Sequence, residues 1–182
     1  AIILALFVTP FAIIFGYFAK KASSHRITGK EILWTLPFAF MILGVLSAYL
    51  PIFMGNGQVL AQWIFSGNSS VYLPIILIIK CLLVCLLLRS GTYGGTLTPS
   101  FALGVGTGYL ITVLLGNFGF SHSLSLGMLL GATIFLGTTL DAPLTGIALV
   151  VGFTGTGGVI VFPLILASIL SRIINNKWKE RL

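Results

Sequence analysis

Acidic residues are almost missing from this chain. Of its 182 residues only three are Asp or Glu, and only 7% are charged at all, against about 25% in an average soluble domain. So few charges leave a water-facing surface uncovered, which excludes an ordinary soluble globule and makes lipid the solvent. Cysteine is scarce as well. Cys81 and Cys85 are the only two, which excludes a disulfide framework. Four apart in an apolar stretch, with no His or carboxylate beside them, they read as small packing hydrophobes rather than a metal or redox pair. No metal site, catalytic cluster or cofactor-binding motif is expected. The net charge of +7 is not a nucleic-acid footprint, because the ten basic residues sit mostly at the ends of apolar runs, where they set orientation. The chain opens Ala1-Ile2-Ile3, without Met or a basic leader segment. It does not read as a signal peptide, and the opening predicts a piece of something longer.

What is present is apolar length: 57% of residues are hydrophobic and mean hydropathy is +1.12. A transmembrane helix needs about 20 apolar residues. Residues 1–19 supply the first such run, interrupted by Pro10 and Gly16. A basic loop follows, with Lys20, Lys21, Arg26 and Lys30 against Glu31, predicting a cytoplasmic face. Thr28 and Glu31 have capping-box spacing for the next helix, and His25 reads as a loop residue rather than a pH sensor. Residues 32–50 form a second run that ends at Pro51. Residues 58–65, between Gly55-Asn-Gly57 and Ser66-Gly-Asn-Ser-Ser70, are apolar but too short to cross, and read as a partial or re-entrant helix. Residues 71–88 are again of spanning length, with Lys80 near their middle. A charge at that depth costs about 2.5–3.5 kcal/mol on insertion scales. It predicts either a snorkelling or carbonyl-paired lysine, or a fixed cation biasing an anion path.

The centre of the chain is Arg89-Ser-Gly-Thr-Tyr-Gly-Gly-Thr-Leu-Thr-Pro-Ser-Phe101. Irregular backbone at membrane depth is tolerated only where protein buries it or it lines a watery cavity. A glycine-rich turn opening into a helix aims unbonded amides at one point, and the helix dipole adds positive charge there. The physical reading is an anion site made mostly of backbone. Capping rules alone choose Thr98 as N-cap, leaving the amides of Ser100 and Phe101 unbonded. Beyond it, Gly104 and Gly108 lie four apart on one face and predict close helix–helix packing. Helices over 124–136, 144–153 and 159–174 are expected next. Asp141, the only acid of the apolar body, is expected to N-cap the second of these, with a proton relay as its alternative. Lys177, Lys179 and Arg181 predict a cytoplasmic C-terminus. Unequal helices joined by Gly/Ser/Thr breaks are the pattern of broken-helix transporters, whose half-helix N-termini face an anionic substrate.

Residues 89–104 resemble the G-x-F-x-P region of the CLC chloride channels and chloride/proton antiporters. Leu140-Asp-Ala-Pro-Leu-Thr-Gly-Ile-Ala-Leu-Val150 resembles the A-P-L-T-G helix of that family, and Lys80 falls where many members carry Lys or Arg. The resemblance runs from about residue 1 to 175. It implies an all-α integral membrane protein of broken and re-entrant helices, one inverted repeat of the CLC fold, with residues 1–182 as a single membrane domain: the C-terminal half without its final helix. It implies chloride or another halide as substrate, bound by the amides of Thr96 and Leu97 with Gly95 allowing close approach. It also implies a homodimer through the helices near Pro143–Phe153 and Val159–Ile174, and a bacterial plasma-membrane location. Leu97 and Thr96 depart from the usual Phe and Ile, and Gly152 stands where many transporters have Glu. The gating glutamate and anion-coordinating serine belong to the absent first repeat, and the site's tyrosine has no match after Ile174. The alternatives are a fluoride exporter of the same family and a non-transporting membrane assembly protein. An intramembrane enzyme needs a buried acid, base or metal cluster, and Asp141 stands alone in this sequence.

Overall fold

A computed structural model describes residues 1–68, 71–117 and 123–179. Among them the ordered elements are all helical: α1 (Ile2–Ser24), α2 (Ile32–Tyr49), α3 (Gln58–Phe65), α4 (Leu73–Arg89), α5 (Leu97–Asn117), α6 (Leu124–Thr139), α7 (Pro143–Thr154) and α8 (Val161–Lys179), with short 3-10 turns before α2, after it and before α8. Four segments are long and apolar enough to cross a membrane: Ile2–Ser24, Gly29–Tyr49, Leu97–Asn117 and Gly158–Trp178. α3 has eight residues, about 12 Å at 1.5 Å per residue, and stops part-way. Residues 71–88 fall short of the spanning length expected of them, because α4 has only 17 residues. Tyr72 and Pro74 take up the entry to the helix, at its N-cap and in its first turn.

The bundle is built around α6. Every residue from Gly127 to Thr138 is buried, and α1, α5, α7 and α8 all pack against this helix. Small residues let α5 approach it most closely. Gly104 faces Gly131 and Ala132, and Gly108 faces Gly127 and Gly131, with main chain against main chain. In lipid, where apolar burial between helices gains little, such close packing supplies much of the association energy. α1 lies on another side of α6, where Phe15 meets Phe135 at 5.6 Å between ring centroids and Gly16 sits against Thr139. The outside of the bundle is apolar: Leu33, Trp34, Leu82 and Phe162 are all exposed.

Two expected caps are not formed. Thr28 precedes a 3-10 turn over Gly29–Glu31 and makes no side-chain cap bond, and α2 starts only at Ile32. This loop is held from outside instead. The Ile27 amide donates to Arg89 O at 2.9 Å, the Thr35 hydroxyl to Ser90 O at 3.3 Å, and the Arg26 guanidinium lies 4.1 Å from the Tyr93 ring centroid. Nor does Asp141 cap α7, whose N-cap is Ala142 with no side-chain bond. Asp141 ends α6. It has φ +54, the only positive φ outside glycine among the described residues. Its amide donates to Thr138 O at 3.3 Å and that of Ala142 to Gly137 O at 3.1 Å. This is a Schellman ending, whose left-handed residue is usually Gly or Asn; Asp tolerates that backbone better than most side chains.

Candidate functional site

The double glycine leads directly into α5. The Ser100 amide donates to Thr96 O at 2.9 Å, which makes Thr96 the N-cap and Leu97 the first helical residue. The amides of Thr96, Leu97 and Thr98 therefore precede the first intrahelical bond, and Pro99 brings none to satisfy. This overturns the capping rule that chose Thr98, since the Ser100 amide is already spent inside the helix. Thr96, Leu97 and Thr98 are half-buried, while Tyr93, Gly94 and Gly95 are exposed. A Cβ built on Gly95 would meet nothing nearer than the Leu97 nitrogen at 4.0 Å, and one on Gly94 would meet nothing within 4 Å. The turn thus presents open backbone, with three amides that precede the first intrahelical bond and a helix dipole behind them.

Two neighbouring turns position it. On one side is the basic loop, tied to residues 89–93 by the bonds given above. Gly91, with φ +112, sits where a Cβ would strike the Ile32 side chain at 2.6 Å, so the two loops interlock. On the other side is the turn between α2 and α3. Gly57, also at φ +112, is the N-cap of α3, and a Cβ there would lie 3.0 Å from Ala102 Cβ and 3.4 Å from Thr98 O. Two helix N-termini, those of α3 and α5, thereby meet.

Lys80 fixes this second turn. Its Nζ donates to Phe53 O at 3.0 Å and to Gly55 O at 2.9 Å, and the residue is 2% exposed. Of the two readings open in the sequence, the structure gives the lysine paired to carbonyls; its ammonium sits against residues 53–55 rather than against the double glycine. Replacing it with methionine keeps the length and removes the donor. The fully buried Phe53 then carries a carbonyl with no partner, a loss of about 1–3 kcal/mol. Lys80→Met is expected to lower the thermal midpoint of the purified full-length protein, and Lys80→Arg to restore most of it. An unchanged midpoint in Lys80→Met would show that the clasp contributes nothing.

The sequence missed the residues beside the site. Asn56, Gln58 and Gln62 stand with Thr98 around a cleft of about 600 Å³. The available signal was two amides spaced i, i+4 on an otherwise apolar α3. Cys81 and Cys85 are half-buried free thiols on α4. Among the described residues no group of three or more His, Cys, Asp or Glu converges.

Comparison with known proteins agrees with this architecture. The sequence profile described as "Voltage gated chloride channel" matches residues 1–176. The chain is 29% identical over 153 residues to the H(+)/Cl(-) exchange transporter ClcA of Vibrio campbellii, covering 82% of this chain and 32% of that protein. It is 29% identical over 167 residues to ClcA of Vibrio cholerae, covering 87% and 36%. The voltage-gated ClC-type chloride channel ClcB of Escherichia coli is 27% identical over 154 residues, covering 78% and 35%. The chain thus spans about a third of the length of these relatives. No solved structure gives a significant match. The family is one of channels and transporters, not of enzymes. Four helices of spanning length in an apolar exterior make this an integral membrane protein, and the chain belongs to the voltage-gated chloride channel family.

Proposed function

We propose that this chain is one inverted repeat of a chloride channel or chloride/proton antiporter, and that it contributes half of the anion site. The carrying observation is the start of α5. The first amide bonded back is that of Ser100, so the amides of Thr96 and Leu97 point their hydrogens out of the helix beside an open Gly95. A halide sheds water for such donors, and each charge-assisted bond is stronger than a neutral one. The ammonium of Lys80 is already taken up by the carbonyls of Phe53 and Gly55, so the attraction comes mainly from backbone donors and binding stays weak enough for release. In this reading a second repeat supplies the remaining ligands and any gating carboxylate. α7 and α8, with Leu144, Phe153, Phe162 and Ile169 exposed, form the contact with a second copy. The basic loop and the C-terminus lie in the cytoplasm, and the membrane is a bacterial plasma membrane.

The test is uptake of radioactive chloride into liposomes that contain the full-length protein, compared with empty ones. Uptake above the empty control is the expected result, and none sinks the reading. Running the assay against excess fluoride and excess bromide separates a chloride carrier from a fluoride exporter, because only the latter loses uptake mainly to fluoride. The departures at Thr96 and Leu97 leave the donors themselves untouched, since both are backbone.

A further inference from the structure

Cys81 and Cys85 are the only cysteines of the chain, and by sequence alone they read as packing. The structure brings them onto one another. They lie one turn apart on α4, both half-buried, and their thiols hydrogen-bond each other. In the neighbouring row of the helix Ile78 and Leu82 are exposed, so the pair borders the apolar exterior of the bundle. α4 itself is held in place. It packs on α1 and α5, and Lys80, next to Cys81, is bonded to the carbonyls of Phe53 and Gly55. Two sulfurs thus stand side by side on a helix that is fixed elsewhere.

We propose that Cys81 and Cys85 form a bidentate site for a soft, two-coordinate metal ion of the mercury(II) class. Geometry selects a bridging ion over a disulfide. Residues i and i+4 of a helix hold their Cβ atoms about 5–6 Å apart, whereas a disulfide needs about 3.5–4.5 Å, so oxidation would have to unwind the turn. Two sulfur–metal bonds of about 2.3 Å each span the gap in line and leave the helix intact. Ligand number excludes zinc, which takes four donors in a structural site; among the described residues no third His, Cys, Asp or Glu joins the pair. Thiolates select soft ions. Charge selects a divalent one, because apolar surroundings penalise a net charge. Two thiolates on a divalent ion are neutral, and on a monovalent ion they leave one negative charge. With mercuric chloride the step is ligand exchange. Two S–Hg bonds form, two Hg–Cl bonds break, two chloride ions leave and two thiol protons pass to solvent, with no change of oxidation state. The reagent is uncharged and reaches the pair through lipid. The site is independent of the anion reading.

The experiment counts retained metal. Purified full-length protein is treated with mercuric chloride and washed with a monothiol, and the mercury left on each chain is measured. A second thiol fixed one turn away acts at an effective concentration above that of a flexible tether, so the chelated ion is expected to survive a wash with about 1 mM 2-mercaptoethanol that strips single thiols. Cys81→Ala, Cys85→Ala and the double variant are each expected to retain one mercury fewer per chain than the unaltered protein. The same loss in all three is the mark of a shared ion, and it is independent of any cysteine elsewhere in the full-length protein. Cys81→Ser and Cys85→Ser repeat the measurement with side chains closer in size to the thiol. Equal mercury on the unaltered protein and the double variant overturns the site. Single variants that lose none, or a double variant that loses twice as much as either single one, also overturn it, since the two thiols would then bind separately.

Discussion

Gly131→Ala is expected to break the α5–α6 pair and to lower the thermal midpoint of the full-length protein more than any other single-methyl change. A Cβ at Gly131 would lie 2.5 Å from Gly108 Cα and 2.8 Å from Gly108 N, and closer still to Gly104 O. All three are main-chain atoms of a helix, so no side chain can rotate away. The helices must part, and parting also loosens Gly104 against Ala132 and Gly108 against Gly127. Overpacking costs typically 1–3 kcal/mol and sometimes more. Because the packing on either side of Gly131 loosens with it, the upper end of that range applies, equivalent to a fall of roughly 6–12 °C were a domain of this size to melt alone and to a smaller fall in the longer full-length protein. The control is Gly116→Ala on the same helix pair, where a Cβ meets nothing within 4 Å; it is expected to be neutral or slightly stabilising through helix propensity. Thermal denaturation in detergent, followed by fluorescence, reads both. A Gly131→Ala midpoint equal to that of Gly116→Ala would mean that the close approach is not what holds α5 to α6.

That glycine pair was legible in the sequence, because i, i+4 spacing on a helix needs no tertiary knowledge to suggest a close-packing face. The limits of α3 were legible for a similar reason: Gly55-Asn-Gly57 and Ser66-Gly-Asn68 punctuate a run too short to cross. Caps were not. Thr28 and Glu31 have the right spacing, yet the bonds that fix this turn run from the Ile27 amide to Arg89 O and from the Thr35 hydroxyl of α2 to Ser90 O, some 60 residues away in the chain. Asp141 sits between two helices and serves the end of one rather than the start of the other, a choice made by backbone geometry that composition does not reveal. The partners of Lys80 were equally hidden. A search for an acid fails, because the lysine is satisfied by two carbonyls, and a carbonyl is present at every position of every sequence.

The start of α5 carries the sharpest functional prediction, because proline can delete one backbone donor there with little harm to the helix. Leu97 is the first helical residue, where proline is favoured and its missing N–H interrupts no intrahelical bond. The preceding residue is driven toward extended backbone by a following proline, as an N-cap residue requires. Leu97→Pro therefore removes a proposed anion ligand and leaves the fold in place, while Leu97→Ala removes most of the side chain and keeps the amide. The difference between the two isolates the N–H. A hydrogen bond to a charged group is worth about 1.5–3 kcal/mol, so apparent chloride affinity is expected to be roughly 10- to 100-fold weaker in Leu97→Pro than in Leu97→Ala, with similar thermal midpoints. Chloride uptake below saturation should fall by the same factor. Water entering the vacated position moves the result toward the lower end of that range. Binding should weaken rather than vanish, since the Thr96 and Thr98 amides and the helix dipole survive the substitution. Equal chloride affinity in the two variants would take the Leu97 amide out of the site and leave the dipole, or groups beyond this chain, to hold the ion.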